Sequence, residues 1–357
     1  MEYIKNLELE KLEKKIEELG EPAFRARQIF KWLYQKNVSA FSEMTDIPKK
    51  FRAILDNTFH IDSLKLLEEI TSSDGSVKFL FGTRDHYVIE SVWIPDPPRY
   101  TLCVSSQVGC AMDCAFCATA KLGLKRNLDP GEIVDQICLA RRSQVIRNKI
   151  TNLVFMGMGE PLANFENLIA AIGIITQNLG LQFSSRRITV STAGLVPKLE
   201  KLGEMGLQVN LAVSLNATTD ETRNFLMPIN KKYPLKELIK ACREFPLPKR
   251  KRITFEYILI EGVNDSLEDA KRLVNILKGQ RAKVNLIPFN PHPGTKFRRP
   301  EEEKILRFQK VLFENNMTAI IRDSRGEDIG AACGQLGLSY LMKNKEVSKH
   351  GASGTGF

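Results

Sequence analysis

Apolar and polar positions change period twice along this chain. Leu9, Leu12, Ile16 and Leu19 recur at the spacing of one helix face, within a stretch from about 7 to 59 that reads as helical. A second amphipathic segment presents Phe24, Ile29, Phe30 and Leu33 as its apolar face, and Pro48 is placed to open a third helix through Leu55. Strands are predicted next over 76–81, 86–94 and 100–107, with Asp96-Pro97-Pro98 as the turn between the last two. From residue 100 the pattern becomes strands alternating with helices. Apolar runs fall at 153–156, 188–190, 209–213, 255–260, 284–287 and 318–321, and Asp129-Pro130-Gly131-Glu132 carries the N-cap, first-position proline and returning glutamate of a helix start. Near-continuous apolar strands separated by helices predict a parallel sheet covered by helices. Six or seven such units predict an α/β fold of the open or partial (β/α) barrel kind, with functional residues at the C-terminal ends of the strands.

The expected organisation is a small helical module over 1–60, linking strands over 61–99, a partial barrel over 100–342, and a polar, Gly/Ser-rich tail over 343–357 expected to be disordered. No apolar run is long enough to span a membrane, and Met1-Glu2-Tyr3-Ile4-Lys5 lacks the layout of a signal peptide, so a cytoplasmic protein is expected. The net charge of +10 suits a polyanionic partner and equally suits simple solubility.

Seven cysteines are too few for a disulfide scaffold in 357 residues, yet three crowd into Gly109-Cys110-Ala111-Met112-Asp113-Cys114-Ala115-Phe116-Cys117, just past a predicted strand. Thiolates are the standard protein ligands of iron–sulfur clusters. Three of them on a four-iron cluster leave one iron for a non-protein ligand. The alternative, structural zinc, wants four ligands, and none of the four histidines, His60, His86, His292 and His350, lies in the loop. Gly157-Met158-Gly159-Glu160 follows another predicted strand; glycines there admit close approach of a ligand or simply make a turn. Basic residues cluster at Lys121, Lys125 and Arg126, at Arg141 and Arg142, at Arg186 and Arg187, over 249–252, and at Arg298 and Arg299. Each cluster reads as a solvated face or as a contact.

The C-x3-C-x2-C spacing with Phe116 resembles the signature of the radical SAM (S-adenosylmethionine) superfamily. Residues 100–110, Gly157-Met158-Gly159-Glu160-Pro161-Leu162, 285–291 and 325–336, in that order, resemble the radical SAM rRNA adenine methyltransferases of the RlmN type, and the resemblance covers nearly the whole chain. It implies a radical SAM partial barrel with an accessory RNA-binding module at the N-terminus. It implies one [4Fe-4S] cluster on Cys110, Cys114 and Cys117, and two SAM molecules per turnover. It also implies methylation of C2 of an adenosine in 23S rRNA and, in some relatives, in tRNA. A flavodoxin-type protein would donate electrons, and the enzyme would be a monomer.

In that resemblance Cys333 carries the methyl group, Glu90 is the proton acceptor, and Cys103 releases the product through a disulfide with Cys333. Gly159, Glu160, Ser191, Ser214, Leu215, Asn216 and Asn290 match SAM contacts, Asn216 standing where some members carry His. Lys125 and Arg126 are the expected RNA contacts, and Cys138 and Cys242, which match no family role, read as structural. C2 of adenine is electron-poor, so polar methyl transfer there is slow; radical addition removes that requirement, and the cofactor supplies the hard chemistry. The runner-up within the family is the C8-methylating, antibiotic-resistance branch. The runner-up of another class is a non-enzymatic iron–sulfur carrier or redox sensor, which needs neither the SAM contacts nor Cys333.

Overall fold

The computed structural model describes residues 1–337; the expected tail over 343–357 lies outside the described residues. The N-terminal module holds strand β1 (Glu2–Tyr3) and helices α1 (Leu9–Glu18), α2 (Phe24–Lys31) and α3 (Lys49–Thr58), after which β2 (Phe59–His60) pairs in parallel with β1. Leu12, Ile16, Ile29, Phe30, Leu33, Phe51 and Leu55 are buried together, as the helical spacing predicts. Phe24 is the exception. It opens α2 before the helix face meets the core, stays 50% exposed, and lies under the Arg25 guanidinium at 4.8 Å; Ala26 takes its place on the buried face.

A buried charge network fastens this module to the rest of the chain. Lys5, fully buried, reaches Asp135 at 2.6 Å and Asp62 at 2.8 Å, and Arg142 holds Asp62 at 2.6 Å. Burial alone would lower the Lys5 pKa, but Asp135 and Asp62 outweigh it and raise the value. Removing one partner of a buried pair leaves an uncompensated charge. Lys5→Met should therefore cost about 3–5 kcal/mol, measured by urea unfolding; a loss no larger than that of an exposed lysine would refute this role.

Among the described residues, ten strands form the main sheet. β3 (Leu64–Thr71), β4 (Val77–Thr83), β5 (Val88–Asp96) and β6 (Arg99–Cys103) make an antiparallel meander. A two-stranded ribbon of β7 (Gln107–Val108) and β8 (Arg126–Asn127) follows, then α4 (Pro130–Arg142), β9 (Asn152–Phe155), α5 (Phe165–Thr176), β10 (Ile188–Thr192), α6 (Val196–Glu204), β11 (Asn210–Ser214), α7 (Asp220–Leu226), α8 (Leu235–Glu244), β12 (Ile253–Leu259), α9 (Leu267–Leu277), β13 (Ala282–Pro288), α10 (Glu302–Glu314) and β14 (Ala319–Ile321). Strands β6, β9, β10, β11, β12, β13 and β14 lie side by side in that order, each pair parallel. Sequential parallel strands joined by helices are the topology of the predicted partial barrel. The α4 start is capped as predicted, with a reciprocal Asp129/Glu132 box. Cys138 in α4 and Cys242 in α8 are buried, which fits the structural reading.

Two differences from the sequence pattern have plain causes. β3 went unpredicted because it is an exposed edge strand with a bulge between Leu66 and Glu68, and its residues show no regular alternation. The strand expected over 100–107 stops at Cys103. Beyond it Ser105 leaves the ladder: its amide donates to Gln136 Oε1 at 2.7 Å and its hydroxyl to the Glu90 carbonyl at 2.6 Å.

Candidate functional site

Side chains alternate across each barrel strand. On the helix side Ile188, Val190, Leu211, Val213, Phe255, Tyr257, Val284 and Leu286 join the main core. The opposite face carries Ser191, Ser214, Glu256, Lys283 and Asn285, aligned by the pairs Ser214↔Glu256 and Glu256↔Asn285. A closed barrel fills its interior with branched apolar side chains; this interior is polar and suits a ligand. Ser191 reaches across β11 to donate to Glu256 Oε2 at 3.2 Å, and burial raises the Glu256 pKa. Sequence reading missed Glu256. Its signal was a lone acid inside the apolar run over 255–260.

The β7–β8 ribbon clamps the base of the cysteine loop. A side chain at Gly109 would meet the Gly123 carbonyl at 1.8 Å, so this closure requires glycine. Phe116 packs with Ala193, Leu226, Met227, Ile260 and Phe289, and Met112, Cys114 and Cys117 lie against that cluster. The Ala115 amide donates to the Leu226 carbonyl at 2.9 Å, which fixes the loop to the end of α7. Burial pushes the Cys110 thiol up to about 12, with the charge of Cys117 adding to it, and burial together with Cys117 and Cys110 pushes Cys114 well above its ordinary value.

The chain's last described segment folds over this loop. The Ala118 amide donates to the Gly334 carbonyl at 2.7 Å and the Thr119 hydroxyl to the Leu336 carbonyl at 2.7 Å. Asn290 Nδ2 donates to the Cys333 carbonyl at 3.1 Å, while its Oδ1 accepts from Ser324. The Gly337 amide donates to Glu90 Oε2 at 3.1 Å, so the buried Glu90 of β5 meets the same segment. Cys333 is solvent-exposed as a residue, yet desolvation by the atoms packed around its thiol pushes it up to about 11, with Glu256 the next contributor. Cys103 is buried on β6. Burial raises its pKa above the ordinary thiol range, and the charge of Cys333 is the second cause. The two cysteines thus share one neighbourhood, 230 positions apart in the sequence.

Glu160 is buried at the end of β9. Its carboxylate accepts from the Leu162 amide at 3.0 Å and the Ala193 amide at 2.7 Å, and burial raises its pKa to about 7. The neighbouring glycines serve packing. A side chain at Gly157 would strike Ser105, and one at Gly159 would strike Gln107 at 2.5 Å. Asn216 turns the chain in the left-handed region at φ 57, which asparagine tolerates better than most residues. Its Oδ1 accepts from the Ile258 amide at 2.9 Å and its Nδ2 meets Met227 Sδ at 3.3 Å. Leu215 places its side chain in the main core.

Comparison with known proteins decides the family. Residues 104–274 match the family model "Radical SAM superfamily", and residues 4–61 match "Ribosomal RNA large subunit methyltransferase N-terminal domain". The dual-specificity RNA methyltransferase RlmN of Syntrophobacter fumaroxidans is 54% identical over 337 residues, covering 94% of this chain and 98% of that protein. The chain belongs to the RlmN family. The RlmN of Geobacter sulfurreducens is 54% identical over 333 residues, covering 93% of this chain and 91% of its own. A crystal structure of a radical SAM methyltransferase from Sphaerobacter thermophilus matches with a TM-score of 0.91 at 45% identity, over 94% of this chain and 99% of that one.

Membership in the RlmN family, with its radical SAM superfamily match, implies a [4Fe-4S] cluster and SAM, and the loop fits the cluster. Its thiols raise one another's pKa, so holding them ionised demands positive charge between them, which iron supplies. Among the described residues no three His, Cys, Asp or Glu side chains close around a single ion; a four-iron cluster asks less, since each thiolate takes a different iron. Beside the loop lies an unpredicted residue, the fully buried Arg223. It donates to the carbonyls of Ala193 at 2.7 Å, Ser214 at 3.1 Å and Leu215 at 3.1 Å and to Asn230 Oδ1 at 3.0 Å. It thereby ties the ends of β10 and β11 together. Burial lowers its pKa to about 10, partly offset by Cys114.

Within this RlmN-family chain the basic residues sort differently from the sequence reading. Arg126 is spent on Asp85 at 2.6 Å and Glu132 at 2.7 Å, so it is not a free RNA contact; four of its five N–H donors go to the two acids and Nη1 also donates to the Asn127 carbonyl at 3.0 Å, leaving none for a phosphate. Lys125 remains exposed beside the loop. Arg142 is likewise consumed by Asp62. Among the described residues no helix is long and apolar enough to cross a membrane.

Proposed function

We propose that this protein methylates C2 of a specific adenosine in 23S rRNA, and of adenosine in tRNA, through a methyl-cysteine at Cys333. Cys110, Cys114 and Cys117 would hold the cluster, and Gly159, Glu160, Ser191, Ser214, Leu215, Asn216 and Asn290 would line the SAM pocket, Leu215 through its backbone. When bound, these groups supply the methyl group and a 5′-deoxyadenosyl radical, two SAM molecules being used per turnover. Cys333 then carries the carbon to the base as a thioether. Glu90 accepts the proton lost from C2, and the unpaired electron would return to the cluster. Attack of the Cys103 thiolate on the Cys333 sulfur then forms the S–S bond and breaks the S–C bond, whose electron pair stays on the carbon and takes up a proton to complete the methyl group. A flavodoxin-type protein would supply electrons, the 1–60 module would act as an accessory RNA-binding piece, and the monomeric enzyme would work in the cytoplasm.

The observation that carries this reading is the convergence of Cys333, Cys103 and Glu90 around one C-terminal segment that folds over the cysteine loop. A redox carrier has no need of an exposed cysteine held there. Mass spectrometry of rRNA and tRNA incubated with reconstituted enzyme, SAM and reductant tests it, with 2-methyladenosine the expected product. An 8-methyl product, or no product, would refute it.

The SAM pocket has its own test. Glu160→Gln should weaken SAM binding at least about tenfold, since a neutral amide loses the charge-assisted acceptor. Equilibrium dialysis reads this, and unchanged affinity would remove Glu160 from the pocket.

A further inference from the structure

One group of cations is gathered from separate strands with fewer acids than cations around it. Arg99 opens β6, Lys251 and Arg252 lead into β12, Lys283 lies near the start of β13, and Arg322 follows β14. The register Thr254↔Lys283 puts Arg252 level with the N-terminal end of the barrel and turns Lys283 to the polar interior face. Lys251 Nζ donates to Asn210 Oδ1 at 2.5 Å and Arg252 Nη1 to Thr318 Oγ1 at 2.9 Å, so neutral oxygens hold both. Among the described residues none of the five makes an ion pair. Two acids face the group: Asp96, in register with Arg99 across β5 and β6, and the half-buried Glu256, engaged by Ser191 and acted on by Arg322 and Lys283; two carboxylates against five cations leave an excess of positive charge.

The crowding has a cost. Burial first, and then the charges of Arg252, Arg99, Arg322 and Lys251, lower the Lys283 pKa. Arg99 acts from the first parallel strand and Lys283 sits on the sixth, so the positive charge spans the barrel's opening. Arg322 stands apart from the N-terminal rim: after the pair Leu286↔Ile321 it lies level with Ile287, toward the other end of β13, where it acts on Glu256 and Cys333. A polyanion would supply the missing counter-charge.

We propose that this rim is a phosphodiester-binding site that leads an RNA strand into the barrel from the N-terminal ends of its strands, opposite the cysteine loop. It rests on the reading of the chain as an RNA methyltransferase and adds the direction of entry.

The test is equilibrium binding of a fluorescent single-stranded RNA to the full-length protein across a salt series. In one variant Arg99, Lys251, Arg252 and Lys283 are all replaced by Gln. A control loses the same charge from exposed positions on the outer helices and their ends: Lys236, Lys240, Lys278 and Lys310, each to Gln. The rim variant should lower the slope of log affinity against log salt by roughly 3, at about 0.7 per single-strand contact, and raise Kd more than about tenfold. The control should match the wild type. Should the fourfold variant not fold, Lys283→Gln alone should lower the slope by about 0.7 and Lys283→Arg should restore it. Rim and control variants with equal slopes, in a protein that still binds and methylates RNA, would overturn the rim alone. A wild-type protein that neither binds nor methylates RNA would overturn the rim and the underlying reading together.

Discussion

Replacing Cys103 with alanine should leave the protein covalently joined to its RNA, seen as a shifted band on a denaturing gel. In the proposed reaction carbon passes from Cys333 to the base while still bonded to that sulfur, and the Cys103 sulfur breaks the link. Without Cys103 at most one turnover occurs and the adduct accumulates. Cys333→Ala should show no methylation and no adduct, while iron content and SAM binding stay unchanged, since Cys333 meets the cysteine loop through the backbone of its segment. The wild type adds a signature. Burial and the neighbouring charge of Cys333 raise the Cys103 pKa, so its thiol is protonated at neutral pH. The thiolate is the attacker, so release should quicken as pH rises, with no plateau below the ordinary thiol range. A Cys103 variant that turns over normally, or an adduct formed by the Cys333 variant, would refute this division of labour.

The second large effect concerns the cluster. Anaerobic reconstitution of the wild type should give about four iron atoms per chain and an oxygen-sensitive absorbance. Replacing Cys110, Cys114 and Cys117 with alanine should abolish both. The loop is anchored elsewhere, by the β7–β8 ribbon, Phe116 packing and the Ala115–Leu226 bond, so the variant should still fold. Retained four-iron absorbance in a folded variant would move the cluster to other ligands.

Much of this fold was legible because its signals are local. The helical spacing of Leu12 and Ile16, the Asp129/Glu132 cap and the apolar runs of β9 to β14 each follow from residues a few positions apart. The cysteine loop was legible for the same reason: its three thiols lie within eight residues. Where local signals conflict with tertiary contacts, the reading failed. β3 is an edge strand without alternation, and Phe24 falls on the predicted apolar stripe but before the core begins.

Sequence by itself determined the alternation of strands and helices, a loop with three cysteines at the spacing proposed to hold the cluster and, by resemblance, the family. Only the tertiary structure decided which charges are free. Arg126 sits beside the cysteine loop in sequence, yet folding brings Asp85 against it from 41 residues away. Lys283 belongs to no basic run, yet parallel pairing and barrel curvature gather four cations around it. Likewise Arg223, fully buried, and Glu256, half-buried on the inner face of the sheet, look like ordinary charged residues until folding removes water from them. Electrostatic roles depend on distance and desolvation. Neither exists along a chain until distant strands are brought together.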